Sequence, residues 1–600
     1  MSRASRRGVI LPVVLIIIGM LALTMTGFLF FVRAETAGIQ AYSDGQQARL
    51  ATDSGLEEVV AQLRLDKHGV RSWYDAPDRW RHALVFADGY DRQSDPVRQT
   101  GSRAEYLSRG SSPSPAWRFS VVASRLDGPE DTIRFGVTPE SARLNLNTAT
   151  DGQITELLTP LLFELNVQNA PELIAAVLDW RDGDDQTRDG GAENEYYNTL
   201  DPPYRSKDAP FDTVEELLIV RGFSAAILYG EDTNRNGVLD PNENDGDATI
   251  PLYDNQDGIL NFGVAPFLTI SSREPDTALD NKPRINLTAD AAIITLQMQK
   301  DLTEGELSEA TIAFLTQLKS QNADFSQLAS PADLYPVGEA TDDSSGETPD
   351  GAAGGEGTAI SGAEFQFEPE NEEADAEKDE FRSQDADPQA EGDEQESGDE
   401  QAGEQPAPAP TRNPRSGGAG SRGGRRGGGE TPDIRELIRN SPVTLAEMPV
   451  LMDRFTTRPA AQAAPGAPPG AAGLIPGLIN INAAPARILA LIPGITPEAA
   501  AAIASTRATL DPATLSTTAW PLTTGAIEPG VFKAIAPYIT TKSYQFHVEV
   551  VGYADHVRLS RRHEWIIEMI GPIAQIRYDR DLSSLGLAWP IDSETQIVSQ

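Results

Sequence analysis

The sequence RRGVILPVVLIIIGMLALTMTGFLFFVR runs from Arg6 to Arg33 and carries the strongest single indication of how the chain folds. The 24 residues from Val9 to Val32 bear no charge, and arginines stand on both sides of them. At about 1.5 Å of helix rise per residue, this run is long enough to cross the roughly 30 Å hydrocarbon core of a bilayer. Arginines on the short N-terminal side predict a cytoplasmic N-terminus and export of the remaining chain.

The apolar run continues into a second helical segment, residues 33–65. A secretory signal peptide would have an apolar core of only about 7–15 residues and end at a small-residue cleavage site. We therefore predict one helix of roughly 55 residues, about 80 Å long, which is apolar over 9–32 and amphipathic over 33–65. Its amphipathic half carries these apolar residues: Ile39, Tyr42, Leu50, Leu56, Val59, Val60 and Leu63.

Charge and composition exclude several classes of protein. The chain has no cysteine, so disulfides, thiolate nucleophiles and cysteine-ligated metals are excluded. It carries 49 Lys+Arg against 90 Asp+Glu, a net charge of −41, which disfavours binding to nucleic acids. About half of that charge lies between Thr341 and Glu404, which hold 23 acidic and two basic residues. We predict that the surrounding segment, residues 338–430, is disordered because it is too polar to form a core.

A short motif occurs three times, at Arg143–Thr148 (RLNLNT), Arg284–Thr288 (RINLT) and Leu478–Asn482 (LININ). Each copy precedes a helical pattern. The third leads into Ala486–Ala504, which predicts two helices joined at Pro493-Gly494-Ile495, a helix-hairpin-helix, and Val214–Tyr229 repeats this pattern. Such units often bind DNA, so a membrane-anchored protein that binds DNA during uptake is the alternative function. We favour helix packing, because no Lys or Arg lies between Arg487 and Arg507.

The junction Arg6-Arg7-Gly8-Val9 and the long helix resemble the N-terminus of type IV pilins and pseudopilins. In that superfamily a prepilin peptidase removes a short basic leader after a glycine. The resemblance implies that Gly8 ends the leader and that Val9 is the first mature residue. Most of these subunits carry a glutamate at the fifth mature position, where this chain has Val13. A subunit without that carboxylate fits the end of a filament rather than its middle.

Three further segments resemble the type II secretion system protein K family: Leu178–Tyr197 (LDWRDGDDQTRDGGAENEYY), Phe211–Gly222 and Thr540–Arg561. The resemblance implies a minor pseudopilin that caps and helps to initiate the pseudopilus, which drives export of folded proteins across the outer membrane. It implies that the partners are other minor pseudopilins, the major pseudopilin and the prepilin peptidase. It also implies a single-pass anchor in the inner membrane, with most of the chain in the periplasm and no enzymatic activity.

The segment DTNRNGVLDPNE matches the twelve-residue calcium loop of the EF-hand. Oxygen-bearing side chains occupy positions 1, 3, 5 and 9, glycine is at position 6, a backbone carbonyl serves position 7, and a glutamate ends the loop. The alternative is an acidic turn that binds no ion. The predicted Ca²⁺ ligands are Asp232, Asn234, Asn236, Val238, Asp240 and Glu243.

A second acidic cluster follows the first repeat, and it is a candidate for another ion or, alternatively, a solvated loop. Its members are Asp182, Asp184, Asp185, Asp189, Glu193 and Glu195. We recognise no HExxH, GxSxG or Walker motif, so the sequence does not indicate an enzyme.

The predicted fold class is α+β. A long pilin-like helix packs on a small antiparallel sheet, which includes a hairpin over 116–135 and strands near 544–552 and 564–577. Helical domains of helix-hairpin-helix or SAM-like type and a disordered acidic insertion interrupt the sheet. The predicted divisions are the leader 1–8; the stem 9–32 and 33–65; the sheet region 66–140; a first helical domain with the calcium loop, 141–280; a second helical repeat 281–337; the disordered linker 338–430; a short helical segment 431–457; an Ala/Pro/Gly linker 458–473; a third repeat 474–540; C-terminal strands 541–590; and a tail 591–600.

Overall fold

A computed structural model describes most of the chain outside the acidic segment. The described residues are 10–66, 70–100, 103, 115–126, 133–249, 254, 256–336, 433–458, 473–557, 559–569 and 573–586. The predicted leader 1–8, the disordered linker 338–430 and the tail 591–600 lie outside them.

The fold combines one very long helix, many short helices and short strands. The α-helices are α1 (Ile10–Asp66), α2 (Val70–Trp73), α3 (Pro77–Trp80), α4 (Pro96–Thr100), α5 (Asp151–Glu164), α6 (Ala170–Arg181), α7 (Asn194–Tyr197), α8 (Ala225–Tyr229), α9 (Ala291–Asp301), α10 (Glu309–Ser320), α11 (Ile434–Leu437), α12 (Met448–Arg454), α13 (Ala486–Leu489), α14 (Pro497–Thr506), α15 (Pro512–Leu515), α16 (Trp520–Thr523) and α17 (Pro529–Ile535).

Short 3₁₀ helices connect these elements. They span Glu140–Ala142, Val214–Ile219, Pro241–Glu243, Gly246–Ala248, Ala265–Phe267, Phe325–Gln327, Pro331–Leu334, Leu445–Glu447, Arg507–Thr509, Ala536–Tyr538 and Ser583–Leu585. The strands are β1 (Ala83–Ala87), β2 (Ala116–Ser124), β3 (Ile133–Arg134), β4 (Thr138–Pro139), β5 (Leu144–Asn145), β6 (Leu268–Thr269), β7 (Arg273–Pro275), β8 (Ile285–Asn286), β9 (Phe455–Thr456), β10 (Leu474–Pro476), β11 (Ile479–Asn480), β12 (Ile539–Thr540), β13 (Gln545–Ala554), β14 (Ser560–Glu568) and β15 (Gln575–Asp581).

Helix α1 has an apolar first half and a packed second half. It is long and apolar enough to cross a membrane. The buried stripe of the second half comprises Leu56, Val59, Val60 and Leu63, which lie in one core with the sheet. Ile39, Tyr42 and Leu50, which we assigned to the same amphipathic pattern, are exposed instead. Ile39 and Tyr42 precede the first residues of α1 that are buried, whereas Leu50 lies beside the buried Ala48 and Ala51 but on the opposite face of the helix.

The main sheet is antiparallel, with strand order β1-β2-β13-β14-β15; β3 pairs with β2, and β4 pairs with β13. The predicted hairpin over 116–135 therefore forms as β2 and β3. The predicted strand 564–577 is wrong as one strand, because β14 ends at Glu568 and β15 begins at Gln575. Strand β13 lies beside β2, so two neighbouring strands are separated by about 420 residues of chain.

Each of the three repeated motifs forms a two-residue strand that pairs in parallel with a later one. The pairs are β5 with β6, β8 with β9, and β11 with β12. The side-chain oxygen of the repeated asparagine, Asn145, Asn286 or Asn480, accepts a hydrogen bond from the N–H two residues later, at 3.0, 2.8 and 2.9 Å. Its Nδ2 donates to a backbone carbonyl two or three residues beyond the partner strand. The same asparagine side chain thus bonds both to the backbone of its own motif and to the chain that follows the partner strand.

Helices pack around these pairs in one continuous apolar core. Helices α13 and α14 flank a turn at Gly494, whose φ of 88° suits glycine. The corresponding turn at Gly222 has a φ of 82°, but a 3₁₀ helix, Val214–Ile219, precedes it in place of the predicted α-helix. The assignment of these pairs as helix-hairpin-helix or SAM-like domains stays a prediction.

Candidate calcium sites

The calcium-loop sequence forms a tight turn directly after α8. Arg235 and Gly237 have positive φ values of 57° and 68°, so the chain reverses sharply at the fourth and sixth loop positions. The 3₁₀ helix Pro241–Glu243 ends the loop, and Asp240 and Glu243 form a capping box at its start. Pro241 is compatible with this helix because its ring occupies the first helical position, where no N–H is needed.

Asp232 closes the loop from its first position. Its Oδ1 accepts the N–H of Asn236 at 2.8 Å, and its Oδ2 accepts the N–H of Gly237 at 2.9 Å. The residue is only 5% exposed, and burial raises the pKa of its carboxyl group to about 6. The loop therefore encloses a carboxylate that lacks a cationic side chain bonded to it in the described part of the protein.

The amide side chains at the third and fifth positions converge on the ninth. The Nδ2 atoms of Asn234 and Asn236 donate to Oδ2 of Asp240, at 2.6 and 2.8 Å. An amide group has the same shape when its oxygen and nitrogen are exchanged. The oxygens of the same two amides accept the N–H groups of Asn236 and Val238, at 3.0 and 2.7 Å, and these bonds fix which amide atom faces Asp240. Oxygen atoms of Asn and Asp side chains are the kind of ligand that Ca²⁺ prefers.

Glu243, at the twelfth position, folds back over the loop. Its Oε1 accepts the N–H of Thr233 at 3.1 Å, and its Oε2 accepts the N–H of Asp240 at 3.2 Å. The side chain is fully buried, and burial raises its pKa to about 7. The side chains of Asn234, Asn236 and Asp240 thus meet in the loop. Asp232 and Glu243 bond instead to backbone N–H groups of the loop, and Val238 would contribute its backbone carbonyl. Whether they bind an ion stays a prediction.

The second acidic cluster is only partly assembled. Carboxylate oxygens of Asp185, Glu193 and Asp208 lie within 4.8 Å of one another. Glu193 is 1% exposed, and neither of its oxygens makes a hydrogen bond of good geometry within the described residues. Burial raises the pKa of Glu193 to about 7. Two of the predicted residues therefore meet a third carboxylate that we did not predict.

The other predicted members of this cluster point elsewhere. Asp182 pairs with Arg188, and Asp184 accepts the N–H of Gln186 at 2.9 Å. Asp189 and Glu195 are exposed and lie outside the three-carboxylate group. The conformation of this loop depends on Asp179, a residue that the sequence analysis did not single out.

Asp179 lies fully buried near the end of α6 and holds the acidic loop in place. Its Oδ2 accepts the N–H of Ala192 at 2.9 Å, and its Oδ1 accepts from the guanidinium of Arg188, also at 2.9 Å. A β-carbon on Gly191 would lie 2.0 Å from Oδ2, so this carboxylate needs a glycine beside it. The Gly-Ala-Glu sequence at 191–193 is a signal that could have revealed this contact.

The predicted processing site is only partly visible. Gly8 and Val9 lie outside the described residues. Val13 lies on α1, in the exposed apolar stretch, with 47% of its surface exposed. No carboxylate occurs at this position, and the adjoining turns of the helix are wholly apolar.

Comparison with known proteins identifies one segment. Residues 142–229, which contain the acidic cluster and Asp179, match the family described as "Type II secretion system (T2SS), protein K". Among solved structures, a chain of the crystal structure of the GspK-GspI-GspJ complex from the enterotoxigenic Escherichia coli Type 2 Secretion System aligns over 91% of this chain and 99% of its own length. The identity is 10%, and the TM-score is 0.31. No curated protein matches.

Proposed function

We propose that this chain is a type II secretion system protein K, the minor pseudopilin that caps and helps to initiate the pseudopilus. The observation that carries the proposal is the family match over residues 142–229, joined to an N-terminal helix of 57 residues whose first half is apolar. Such a subunit acts mechanically, since it packs with other subunits and transforms no substrate.

We place α1 across the inner membrane, with the N-terminus in the cytoplasm and the sheet and helices in the periplasm. The uncharged stretch from Val9 to Val32 is long enough to span the bilayer, and Arg3, Arg6 and Arg7 precede it. Cleavage after Gly8 by the prepilin peptidase would then expose the amine of Val9 at the membrane surface.

Val13 supports a position at the end of the filament. A glutamate here would need a cationic partner, because an ionised carboxylate is costly in an apolar environment. Valine has no such need and cannot make that pairing with a neighbouring subunit. The described helices between β4 and β13 share one continuous core, and in our proposal this body covers the distal end of the stem and blocks the addition of another subunit.

The proposed partners are the other minor pseudopilins, the major pseudopilin at the base of the tip, and the prepilin peptidase. The GspK-GspI-GspJ complex contains three different subunits of one secretion system. The exposed residues Ile39, Tyr42 and Leu50 lie on α1 beyond the apolar stretch, where the stems of such partners would pack.

We propose two calcium sites, both of which would stabilise loops of the first helical region. One is the loop from Asp232 to Glu243, which matches the EF-hand pattern and in which Asn234, Asn236 and Asp240 meet. The other uses Asp185, Glu193 and Asp208, because the buried carboxylate of Glu193 has no hydrogen bond of good geometry among the described residues and therefore favours a cation or a proton. Each bound ion would neutralise buried negative charge at neutral pH.

Mass spectrometry of the full chain tests the assignment as a pseudopilin. We expect mass spectrometry to find a mature chain that begins at Val9 in cells with the prepilin peptidase, and an intact N-terminus in cells without it. A Gly8→Phe variant should remain uncleaved, whereas Ser5→Phe, three residues upstream, should be cleaved normally. Intact protein in the presence of the peptidase would refute the assignment as a pseudopilin.

The capping role requires its own test. In cells that overproduce the major pseudopilin, an epitope placed after Gln600 should label filaments at their ends. Labelling along the length of the filaments would contradict a capping position, even where cleavage after Gly8 is normal.

A further inference from the structure

The calcium loop rests on the main sheet, and Arg562 is the residue that connects them. Arg562 belongs to β14, more than 300 positions from the loop in sequence, yet only 1% of its surface is exposed. A buried guanidinium needs partners for its N–H groups, since an unpaired buried charge is strongly destabilising. The partners of Arg562 therefore show what this side chain does.

All three nitrogens of Arg562 are engaged. Nη1 donates to the carbonyl oxygen of Asn234 at 2.6 Å, and Nη2 donates to the carbonyl of Arg235. The third, Nε, donates to the carboxylate of Glu549 on the neighbouring strand β13. The carboxylate compensates the charge and fixes the plane of the guanidinium, so the two remaining donors point at consecutive carbonyls of the loop.

Other contacts hold the same part of the loop against the sheet. Gly237 approaches β2 so closely that a β-carbon there would lie 2.6 Å from Oγ of Ser124. Val238 packs on a small apolar cluster formed by Val122, Val551 and Tyr553. The loop positions that touch the sheet are thus the third, fourth, sixth and seventh. Two of these, Asn234 and Val238, are predicted ligands, and they touch the sheet through atoms other than the predicted ligand atoms.

These contacts restrict the backbone that carries the ligands. The peptide group between Asn234 and Arg235 cannot rotate while the Asn234 carbonyl is bound to Arg562. The hydrogen bond from Arg562 to the Arg235 carbonyl holds Arg235 in its left-handed conformation. A planar guanidinium can donate two hydrogen bonds side by side, which an ammonium group cannot do with the same geometry. Arg562 therefore stabilises the one loop conformation in which Asn234 and Asn236 face Asp240.

We propose that Arg562 is the positioning residue of the calcium loop, and that calcium binding is coupled to attachment of the loop to the sheet. This inference rests on the proposed calcium site from Asp232 to Glu243. Coupling of two equilibria is reciprocal, so an ion that orders the loop must strengthen its contact with β14, and loss of that contact must weaken ion binding.

The test uses the full chain purified in detergent, with CaCl₂ as the probe. Arg562→Lys keeps the charge and can still pair with Glu549, but it loses one of the paired bonds to the loop. We expect its calcium affinity at this loop to fall by roughly tenfold or more, as for other residues that orient metal ligands. Glu549→Gln should shift affinity in the same direction by less. The matched control is Arg561→Lys, the exposed neighbour on the same strand.

A second readout separates positioning from a general loss of stability. Hydrogen exchange of residues 560–568 is compared with and without calcium. In the wild type, calcium should slow exchange in this strand as well as in the loop. In Arg562→Lys at saturating calcium, the loop should still be protected, while the strand should no longer respond to the ion.

The outcomes distinguish the two proposals. Wild-type affinity in Arg562→Lys, with calcium still protecting the strand, would overturn the positioning role and leave the calcium loop intact. If instead Asp232→Asn and Glu243→Gln leave the calcium affinity of the chain unchanged, the loop binds no ion and both proposals fail. If Arg562→Lys is unfolded in the absence of calcium, Glu549→Gln takes its place in the comparison with the wild type. Glu549→Gln must then bind calcium more weakly than the wild type for the proposal to stand.

Discussion

Gly55 on α1 lies directly against Val550 on β13: a β-carbon at Gly55 would lie 2.5 Å from Cγ1 of Val550. The same atom would lie 2.9 Å from the ring of Phe119 on β2. A glycine inside a helix normally costs about 1 kcal/mol relative to alanine. Here it allows the stem to approach the sheet to a distance that no larger residue permits, so the helix and the two central strands share one core.

This contact predicts opposite effects of alanine at two stem glycines. Gly55→Ala should lower the free energy of unfolding by up to about 2 kcal/mol, because overpacking costs some 1–3 kcal/mol and the gain in helix propensity returns only about 1 kcal/mol. Gly38→Ala, where nothing lies within 4 Å, should raise it or leave it unchanged. Urea unfolding of the full chain in detergent measures both. Equal effects at the two positions would show that the stem does not pack on the sheet as described.

The calcium loop predicts a dependence of stability on the ion. At a free calcium concentration about 100 times the dissociation constant, binding to the folded state adds roughly 2.7 kcal/mol. Glu243→Gln removes one charged ligand and should weaken binding about tenfold or more, which removes about 1.4 kcal/mol of that stabilisation. Glu309→Gln, on the exposed first turn of α10, is the control. An unchanged response of the melting temperature to calcium in Glu243→Gln would exclude this loop as the site.

A buried lysine predicts a second dependence, on pH. The side chain of Lys542 is 6% exposed, and burial lowers its pKa to about 7, with a further contribution from the charge of Arg284. Between pH 7 and its ordinary pKa near 10.5, the unfolded chain binds this proton and the folded chain releases it. Stability should therefore rise with pH in this range, by about 2 kcal/mol between pH 7 and 9.

The variant that checks this is Lys542→Met, which should lose that part of the rise. Lys300→Met removes an exposed lysine at the end of α9 and should keep the wild-type slope. The free energy of unfolding at pH 7, 8 and 9 is compared for the three proteins. A Lys542→Met slope equal to that of the wild type would mean that Lys542 stays charged in the fold, held by Asp453 at 3.8 Å.

The repeated asparagines predict a graded loss of stability. Asn480 is fully buried and donates to Oγ of Ser543 at 2.7 Å, while Asn286 is only half-buried. Replacement by alanine leaves buried polar groups unpaired, at a cost of about 1–3 kcal/mol. Asn480→Ala should therefore cost more than Asn286→Ala. Asn198→Ala, at an exposed helix end, should change stability by less than about 0.5 kcal/mol. Equal losses of stability in Asn480→Ala and Asn198→Ala would show that the hydrogen bonds of the repeated asparagine do not stabilise the fold.

Much of the local structure could be predicted from short patterns. The length of the uncharged run predicted α1, the Gly-containing turn predicted the helix pair around Gly494, and the glycine at the sixth position of the calcium-loop pattern predicted the sharp turn at Gly237. Each of these depends on residues within about one or two turns of each other. The exposed positions of Ile39 and Tyr42 could not be predicted, because helical spacing identifies an apolar stripe but not the surface that covers it.

The second acidic cluster shows where such patterns stop being informative. The sequence placed six carboxylates within fourteen residues, and the fold uses only Asp185 and Glu193 together. Asp208 joins them because the chain returns after α7, and Asp179 turns the loop by accepting N–H groups from Arg188 and Ala192. The spacing of these residues along the chain does not reveal which side chains will meet in the folded protein.

The order of residues along the chain specifies the membrane-length helix, the repeated asparagine motif, the acidic composition and the ligand spacing of the calcium loop, since each is a property of neighbouring residues. Only the fold brings β13 beside β2, although about 420 residues of sequence separate them. Only the fold allows Arg562 to donate hydrogen bonds to the carbonyls of Asn234 and Arg235. Such contacts form because buried donors and apolar surfaces must find partners somewhere in the compact chain. Their identity depends on the packing of the whole molecule and on no local pattern.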